Sequence, residues 1–368
     1  MMQACSLSSG ALFMEFIQRS SRSMCLALLV IGIGPGGTHA ADGPVTSLAE
    51  EILELTGSNV GLCVHLGCGR QETATLTAEL AAASRMLVHG VAVDDASCER
   101  ARRAINERKL WGQASVERLP LRPLPHLDNM ASLVVIEDFD GLAQQGLAWE
   151  EVDRIVAPGG RVCLKKDGRW TATVKARPPE MDDWTNPAHG PDGNRVSQDR
   201  LARMPVGLRW LDGVPLNLGE TYATARGWVV AGGRCFTLGP AVLENVAPAG
   251  FLKHQREEYL VARDAFNGLP LWQVNLETLC TGRMVSTYNF APLATDGRCV
   301  YVYKKDRLVA LAAESGQVVV EYPVRFPTER LLVVPSTLVS SEWESKEPAK
   351  DAGHGVDYAV HSVVKTAA

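Results

Sequence analysis

The unbroken apolar run Val60 to Leu66 predicts a buried strand. The segment before it opens on a capping box, Ser47-Leu-Ala-Glu50, and is closed by Gly57, so it predicts a short helix. The same alternation continues. Alanine-rich Gln71 to Ser84 predicts a helix, Met86 to Val93 a strand, Ala96 to Lys109 a helix and Ser132 to Ile136 a strand. Trp149 to Val156 predicts a helix stopped by Pro158-Gly159-Gly160, and Arg161 to Lys165 predicts a strand that Asp167-Gly168 turns back as a hairpin. Strands alternating with helices specify a mainly parallel sheet covered on both faces.

From about Lys175 the period is lost. KARPPEMDDWTNPAHGPDGNRVSQDR is rich in Pro, Asp, Asn and Gly and predicts a connecting strap. Beyond it the segments are short, β-type and punctuated by glycine. Val261-Ala262 through Gly268 to Trp272 echoes Val309-Ala310 through Gly316 to Val320 at a spacing of 48. Gly233-Arg234-Cys235 echoes Gly297-Arg298-Cys299 at a spacing of 64. The mismatch places an insertion between Thr237 and Glu258. Repeats of this length with several strands each suggest propeller blades. The expected division is a leader over 1–41, an α/β domain over 42–175, the strap over 176–226 and about three blades over 227–368.

Composition narrows the function classes. With 46% hydrophobic and 21% charged residues the chain is of globular type, and a net charge of −5 gives no footprint for nucleic acid. Residues 1 to 41 have the form of an export leader: Arg19 and Arg22, the apolar stretch Met24 to Ile33, and Thr38-His39-Ala40 before Ala41. That implies a periplasmic or extracellular protein, the alternative being a misplaced start with an apolar N-terminus. No segment is expected to span a membrane. Of nine cysteines, seven follow the leader, and none forms a CxxC pair, so neither a zinc site nor a disulfide framework is expected.

A strand ending in Gly67-Cys68-Gly69 lets a ligand approach the backbone. Followed by Leu119-Pro120, Asp128-Asn129 before a strand, and Glu151-Val-Asp-Arg154-Ile-Val-Ala-Pro158-Gly159-Gly160, it resembles the class I S-adenosylmethionine-dependent methyltransferases over about Ser47 to Lys175. The resemblance implies a Rossmann-like fold and an S-adenosylmethionine site at His65, Gly67, Cys68, Gly69, Asp94 and Glu137. Asp94 is the nearest match to the ribose-binding acid, since Ala92 stands at that acid's usual place. His65 occupies a position where the family commonly has a carboxylate, and Gln71 replaces a third glycine. Cofactor binding is therefore expected to be weak and His65→Asp to tighten it. No catalytic group and no metal ligand set is identified; Glu137 and Asp138 read equally as surface carboxylates at a strand end.

Ala262-Arg-Asp264-Ala-Phe-Asn267-Gly268-Leu-Pro-Leu-Trp272 resembles the repeat of the pyrroloquinoline-quinone (PQQ) type β-propellers, in which aspartate and glycine make a turn and tryptophan docks one blade on the next. The later copy has Ala312 for the aspartate and Val320 for the tryptophan. The fold expected is thus an α/β Rossmann-like methyltransferase fold followed by an all-β incomplete propeller. The whole combination resembles exported proteins of planctomycete-type bacteria. About three blades fall short of the roughly four to eight of a closed ring, which disfavours PQQ as a cofactor. The strap carries Asp182, Asp183, Trp184, His189, Asp192 and Asn194, read either as a cation or sugar site or as a connector whose Trp184 fills a junction. Three functions remain: a reduced, weakly or non-catalytic methyltransferase-like scaffold, an active methyltransferase, and a quinoprotein oxidoreductase. The blades would bind a protein or carbohydrate and could self-associate through open edges.

Overall fold

The computed structural model describes residues 47–202, 209–210, 227–240, 256–280, 293–304, 307–322, 328–334, 337–342 and 362–365. The leader, the insertion expected after Thr237 and most of the tail beyond Glu342 lie outside these residues.

Helix α1 (Leu48–Thr56) starts on the expected capping box: the Glu50 amide donates to Ser47 Oγ at 3.2 Å and the Ser47 amide to Glu50 Oε2 at 2.8 Å. Gly57 closes it in the left-handed region at φ 61°. Then follow β1 (Val60–Leu66), α2 (Leu76–Ala82), β2 (Arg85–Ala92), α3 (Asp95–Glu107), β3 (Ala114–Arg118), β4 (Ala131–Ile136), α4 (Phe139–Gln144), α5 (Trp149–Ile155), β5 (Val156–Lys166) and β6 (Arg169–Val174). The sheet order is β3-β2-β1-β4-β5-β6, with only β6 antiparallel. One face buries Ile52, Leu80, Met86, Ile105 and Leu133 under α1, α2 and α3. The other buries Val64, Ile136, Leu142, Val152 and Ile155 under α4 and α5. Full burial of each such side chain stabilises by about 1.5–3 kcal/mol.

Three expectations need correction. The helix expected over Gln71 to Ser84 is only α2, because residues 71–75 form turns whose Thr73 hydroxyl bonds Glu137. Pro158-Gly159-Gly160 does not stop a helix. Helix α5 has already ended at Ile155, and the three residues are part of β5, where Gly159 and Gly160 exchange backbone bonds with Lys175. Gly160 is needed there because a Cβ would come to 2.9 Å from the Ala131 carbonyl oxygen. Strand β3 and helix α4 were not anticipated.

The second half is all β. Strands β7 (Gly227–Ala231), β8 (Arg234–Pro240), β9 (Arg256–Asp264) and β10 (Pro270–Cys280) form one antiparallel sheet. A second contains β11 (Leu293–Thr295), β12 (Cys299–Lys304), β13 (Arg307–Ala312) and β14 (Val318–Tyr322). A third has three strands, β15 (Thr328–Val334), β16 (Thr337–Glu342) and β17 (Ser362–Lys365). Each repeat recognised in the sequence is one four-stranded sheet. In the third sheet β15 pairs with β16 and β16 with β17, and Ser340 to Glu342 belong to β16. Alternation along β12 sends Val300 and Val302 into the core shared by the first two sheets and Tyr301 and Tyr303 to the opposite face.

The strap is tied to both of these sheets. Trp184 pairs with Val230 of β7 through two backbone bonds of 2.7 and 2.8 Å, and the Thr185 carbonyl accepts from the Thr295 amide of β11 at 2.9 Å. The Trp184 ring lies 5.1 Å from that of Trp228. Asp182 joins the strap to itself, accepting from His189, Ser197 and the Gln198 amide. Trp210, assigned from sequence to the strap, covers Gly268 and donates its indole N–H to the Ala265 carbonyl at 3.3 Å.

Candidate functional site

Because β1, β2 and β4 are parallel, their C-terminal ends bring the glycine turn, Asp94 and Glu137 to one edge of the sheet. Gly67 and Gly69 both have positive φ, 72° and 78°. Each is also crowded. A Cβ on Gly67 would touch Leu142 of α4 at 3.0 Å, and one on Gly69 would collide with the Ser97 carbonyl of α3. The glycines are thus demanded by the fold's own packing, whatever a ligand requires. The turn's amides are engaged as well: those of Gly67 and Cys68 donate to the Val91 carbonyl at 2.8 and 3.2 Å.

Asp94 is the N-cap of α3. Its Oδ1 accepts from the Ser97 amide at 2.7 Å and its Oδ2 from the Ser97 hydroxyl at 3.0 Å. The bond from the Ser97 amide, against a smaller cost of burial, holds its carboxyl below the usual range. Arg100 bridges this cap to the turn, donating to the Gly69 carbonyl and to Ser97 Oγ, each at 2.9 Å.

His65 and Glu137, read separately from the sequence, are partners. Glu137 Oε1 lies 3.2 Å from His65 Nε2 and accepts from the Thr73 hydroxyl at 2.8 Å. A carboxylate only accepts, so His65 donates through Nε2. Its Nδ1 sits 2.9 Å from Thr77 Oγ1. His65 is fully buried. Burial works to raise the Glu137 carboxyl, but the bond and charge of His65 and the Thr73 hydroxyl outweigh it and hold it below its ordinary value. An aspartate at 65 would place a second carboxylate against Glu137 and leave Thr77 without its partner. On this geometry His65→Asp should loosen this end of the sheet.

Cys68 is buried, and burial pushes its thiol up to about 12, which favours the protonated form. Arg70, at the end of the turn, pairs with Asp138 at 2.7 Å, while Asp138 also caps α4 through the Gly141 amide. Arg70, Thr73 and Thr77 were not singled out in the sequence. Arg70 carried a signal, directly after Gly69, but the two threonines carried none.

A cleft of about 510 Å³ opens beyond Asp94, lined by Val93, Arg118, Leu119, Pro120, Leu121 and Gln145. None of the six expected cofactor residues lines it. Its apolar wall is built by the β3–β4 connection, which Arg154 fixes by donating to the carbonyls of Leu124 and His126 at 3.0 and 2.7 Å. The cleft's guanidinium, Arg118, is paired with Asp95 at 3.0 Å.

Residues 64–164 match the family described as a methyltransferase domain. The match begins within β1 and ends within β5, so it takes in the glycine turn, the Asp94 cap and the cleft. Among solved structures, an S-adenosylmethionine-dependent methyltransferase of Aquifex aeolicus is 19% identical with a TM-score of 0.29, over 38% of this chain and 75% of that one. Geranyl diphosphate C-methyltransferase of Streptomyces coelicolor is 17% identical with a TM-score of 0.28, over 32% and 43%. The chain spans 52% and 43% of the length of two of the solved structures it matches. No curated protein matches the chain. Among the described residues, no helix is long and apolar enough to cross a membrane and no group of three or more His, Cys, Asp or Glu could hold a metal ion.

Proposed function

We propose that the chain is an exported protein whose methyltransferase domain binds S-adenosylmethionine weakly, turns over little or not at all, and serves as a platform for PQQ-type propeller blades that bind a protein or carbohydrate. What supports weak binding is the state of the backbone at the glycine turn: the amides of Gly67 and Cys68 both donate to the Val91 carbonyl. A ligand would have to replace these bonds rather than complete them. What supports a platform is the contact between the halves. Asp264 and Asn267 reach Ser132 and the Met130 carbonyl at the sheet's opposite edge, at 3.0 and 2.9 Å. Export rests on the leader.

Titration calorimetry of the purified chain with S-adenosylmethionine tests the reading: dissociation constants above about 100 µM are expected, equivalent to binding weaker than roughly 5.5 kcal/mol. Submicromolar binding would instead favour a second reading, an active methyltransferase, for which the apolar cleft beside Val93 is the supporting observation. A quinoprotein oxidoreductase has the least support.

A further inference from the structure

His89 of β2 and His126 of the β3–β4 connection are both half-buried, with Nδ1 of the first 2.8 Å from Nε2 of the second and ring centroids 5.0 Å apart. The outer nitrogen of His126, Nδ1, is enclosed and meets no hydrogen-bond partner among the described residues. This arrangement is sensitive to the number of protons on the pair. A neutral pair has two for its four ring nitrogens. One lies in the contact and the other sits on His89 Nε2, which leaves His126 Nδ1 a bare lone pair. A pair with one extra proton has three. If the contact keeps one, the other two must occupy both outer nitrogens, and His126 Nδ1 becomes a buried N–H with no acceptor. A second extra proton puts hydrogens on both facing nitrogens and abolishes the bond.

The surrounding charges act in the same direction on His126. Arg154 of α5 donates to the His126 carbonyl at 2.7 Å, and its charge opposes one on the ring. The carboxylates of Glu151 on α5 and Asp128 in the connection are both bonded to Arg154. Glu117 of β3 favours a charged His89, but burial outweighs it. Burial, His89 and Arg154 together bring His126 down to about 4, and His89 also lies below its ordinary value.

We propose that His89 and His126 form an acid-released latch that fastens the β3–β4 connection to β2, so that protonation frees the wall of the cleft carrying Leu119, Pro120 and Leu121. The connection stays fastened to α5, through Arg154 and through the Leu124 amide, which donates to Glu151 Oε2 at 2.8 Å. Acid thus releases its hold on β2 and leaves the fold standing. Because the folded values lie below the unfolded one near 6.5, the latch is whole above that pH and weakens as pH falls from there towards about 4.

Hydrogen exchange of the full chain, read by mass spectrometry at about pH 7.5 and about pH 5 and corrected for the intrinsic pH dependence of exchange, tests the latch. In the wild type, protection over residues 119–130 should fall on the order of tenfold in acid, while that over Val60–Leu66 holds. In H126A it should be low at both pH values. H126Q is the deciding variant: its amide can donate to a neutral His89 or, turned over, accept from a charged one, so protection should persist in acid. Wild-type protection that does not change, or that falls equally over Val60–Leu66, overturns the latch, as does an H126A chain protected like the wild type at neutral pH. An H126Q chain that loosens in acid as the wild type does also overturns it, since Glu117, Asp128 or Glu151 would then carry the effect. Should H126A fail to fold, the wild type and H126Q decide between them.

Discussion

The turn of the first β sheet, Asp264 to Gly268, and that of the second, Ala312 to Gly316, share one backbone design and differ in three side chains. Gly268 and Gly316 have φ of 76° and 72°, and each lies beneath an indole, Trp210 over the first and Trp272 over the second. Each indole donates to the carbonyl three residues before the glycine, Ala265 or Ala313. Where the first turn has Asp264, Phe266 and Asn267, the second has Ala312, Glu314 and Ser315. Asp264 accepts from Ser132 Oγ and from the amides of Phe266 and Asn267, and Asn267 donates to the Met130 carbonyl. The second turn has no part in that contact. Glycine and tryptophan are therefore the repeat's internal packing, whereas aspartate and asparagine in this chain also fasten one repeat to the α/β sheet.

The comparison can be broken first at the shared element. Trp272→Ala removes a buried indole that also packs on Phe236, and should cost about 3–5 kcal/mol in urea unfolding. Gly268→Ala and Gly316→Ala should cost about 2 kcal/mol each and equally, since both force a left-handed φ and press on an indole; unequal melting shifts would show that the two turns are not equivalent. Asp264→Ala should cost about 1–2 kcal/mol by stranding the Ser132 hydroxyl and two amides, with proteolytic susceptibility rising near Ser132. Charge sharpens the same site. Burial raises the Asp264 carboxyl against the pull of its hydrogen bonds. Its folded value thus exceeds the unfolded one near 3.9, so the stability it contributes is complete below that pH and is lost as pH rises through the folded value. Asp264→Asn should accordingly gain on the wild type between pH 4 and 7 in denaturant midpoints. Ser315→Asn, on the exposed second turn, should stay within about 0.5 kcal/mol of the wild type.

Sequence patterns revealed what local chemistry fixes. Ser47, Glu50 and Gly57 mark α1 through contacts within one or two turns, and Val60 to Leu66 reads as buried because both its faces are covered. Gly268 and Gly316 betrayed the repeat. Strand β3 escaped because Ala114 to Arg118 is only half apolar and is held by pairing with β2, a contact no local pattern encodes. Strand β5 begins before its glycines because pairing with β4 starts at Val156, overriding the turn propensity of Pro158-Gly159-Gly160. At the candidate site, each of the six expected residues was found at the sheet's edge, but their meaning lay in partners. That His65 faces Glu137, and Asp94 serves Ser97, depends on which strands are neighbours. Trp210 was missed for the same reason: its echo of Trp272 is visible only once each indole is seen above its glycine.

The strap's two backbone attachments also bear on how the chain matures. Thr185 lies well upstream of both partner strands, so its bond to Thr295 must wait until the whole of the first β sheet, which ends at Cys280, has emerged from the ribosome. Until then the strap is held by its own Asp182 centre and by β7 and its turn, through Val230, Trp228 and the Gly232 amide. Closing so long a loop costs entropy that local contacts do not offset, and topologies dominated by such distant pairings form slowly. During that interval, among the described residues, only the Trp184–Val230 bridge covers the edge of β7, and an uncovered strand edge is the feature by which nascent chains most readily recruit a neighbour.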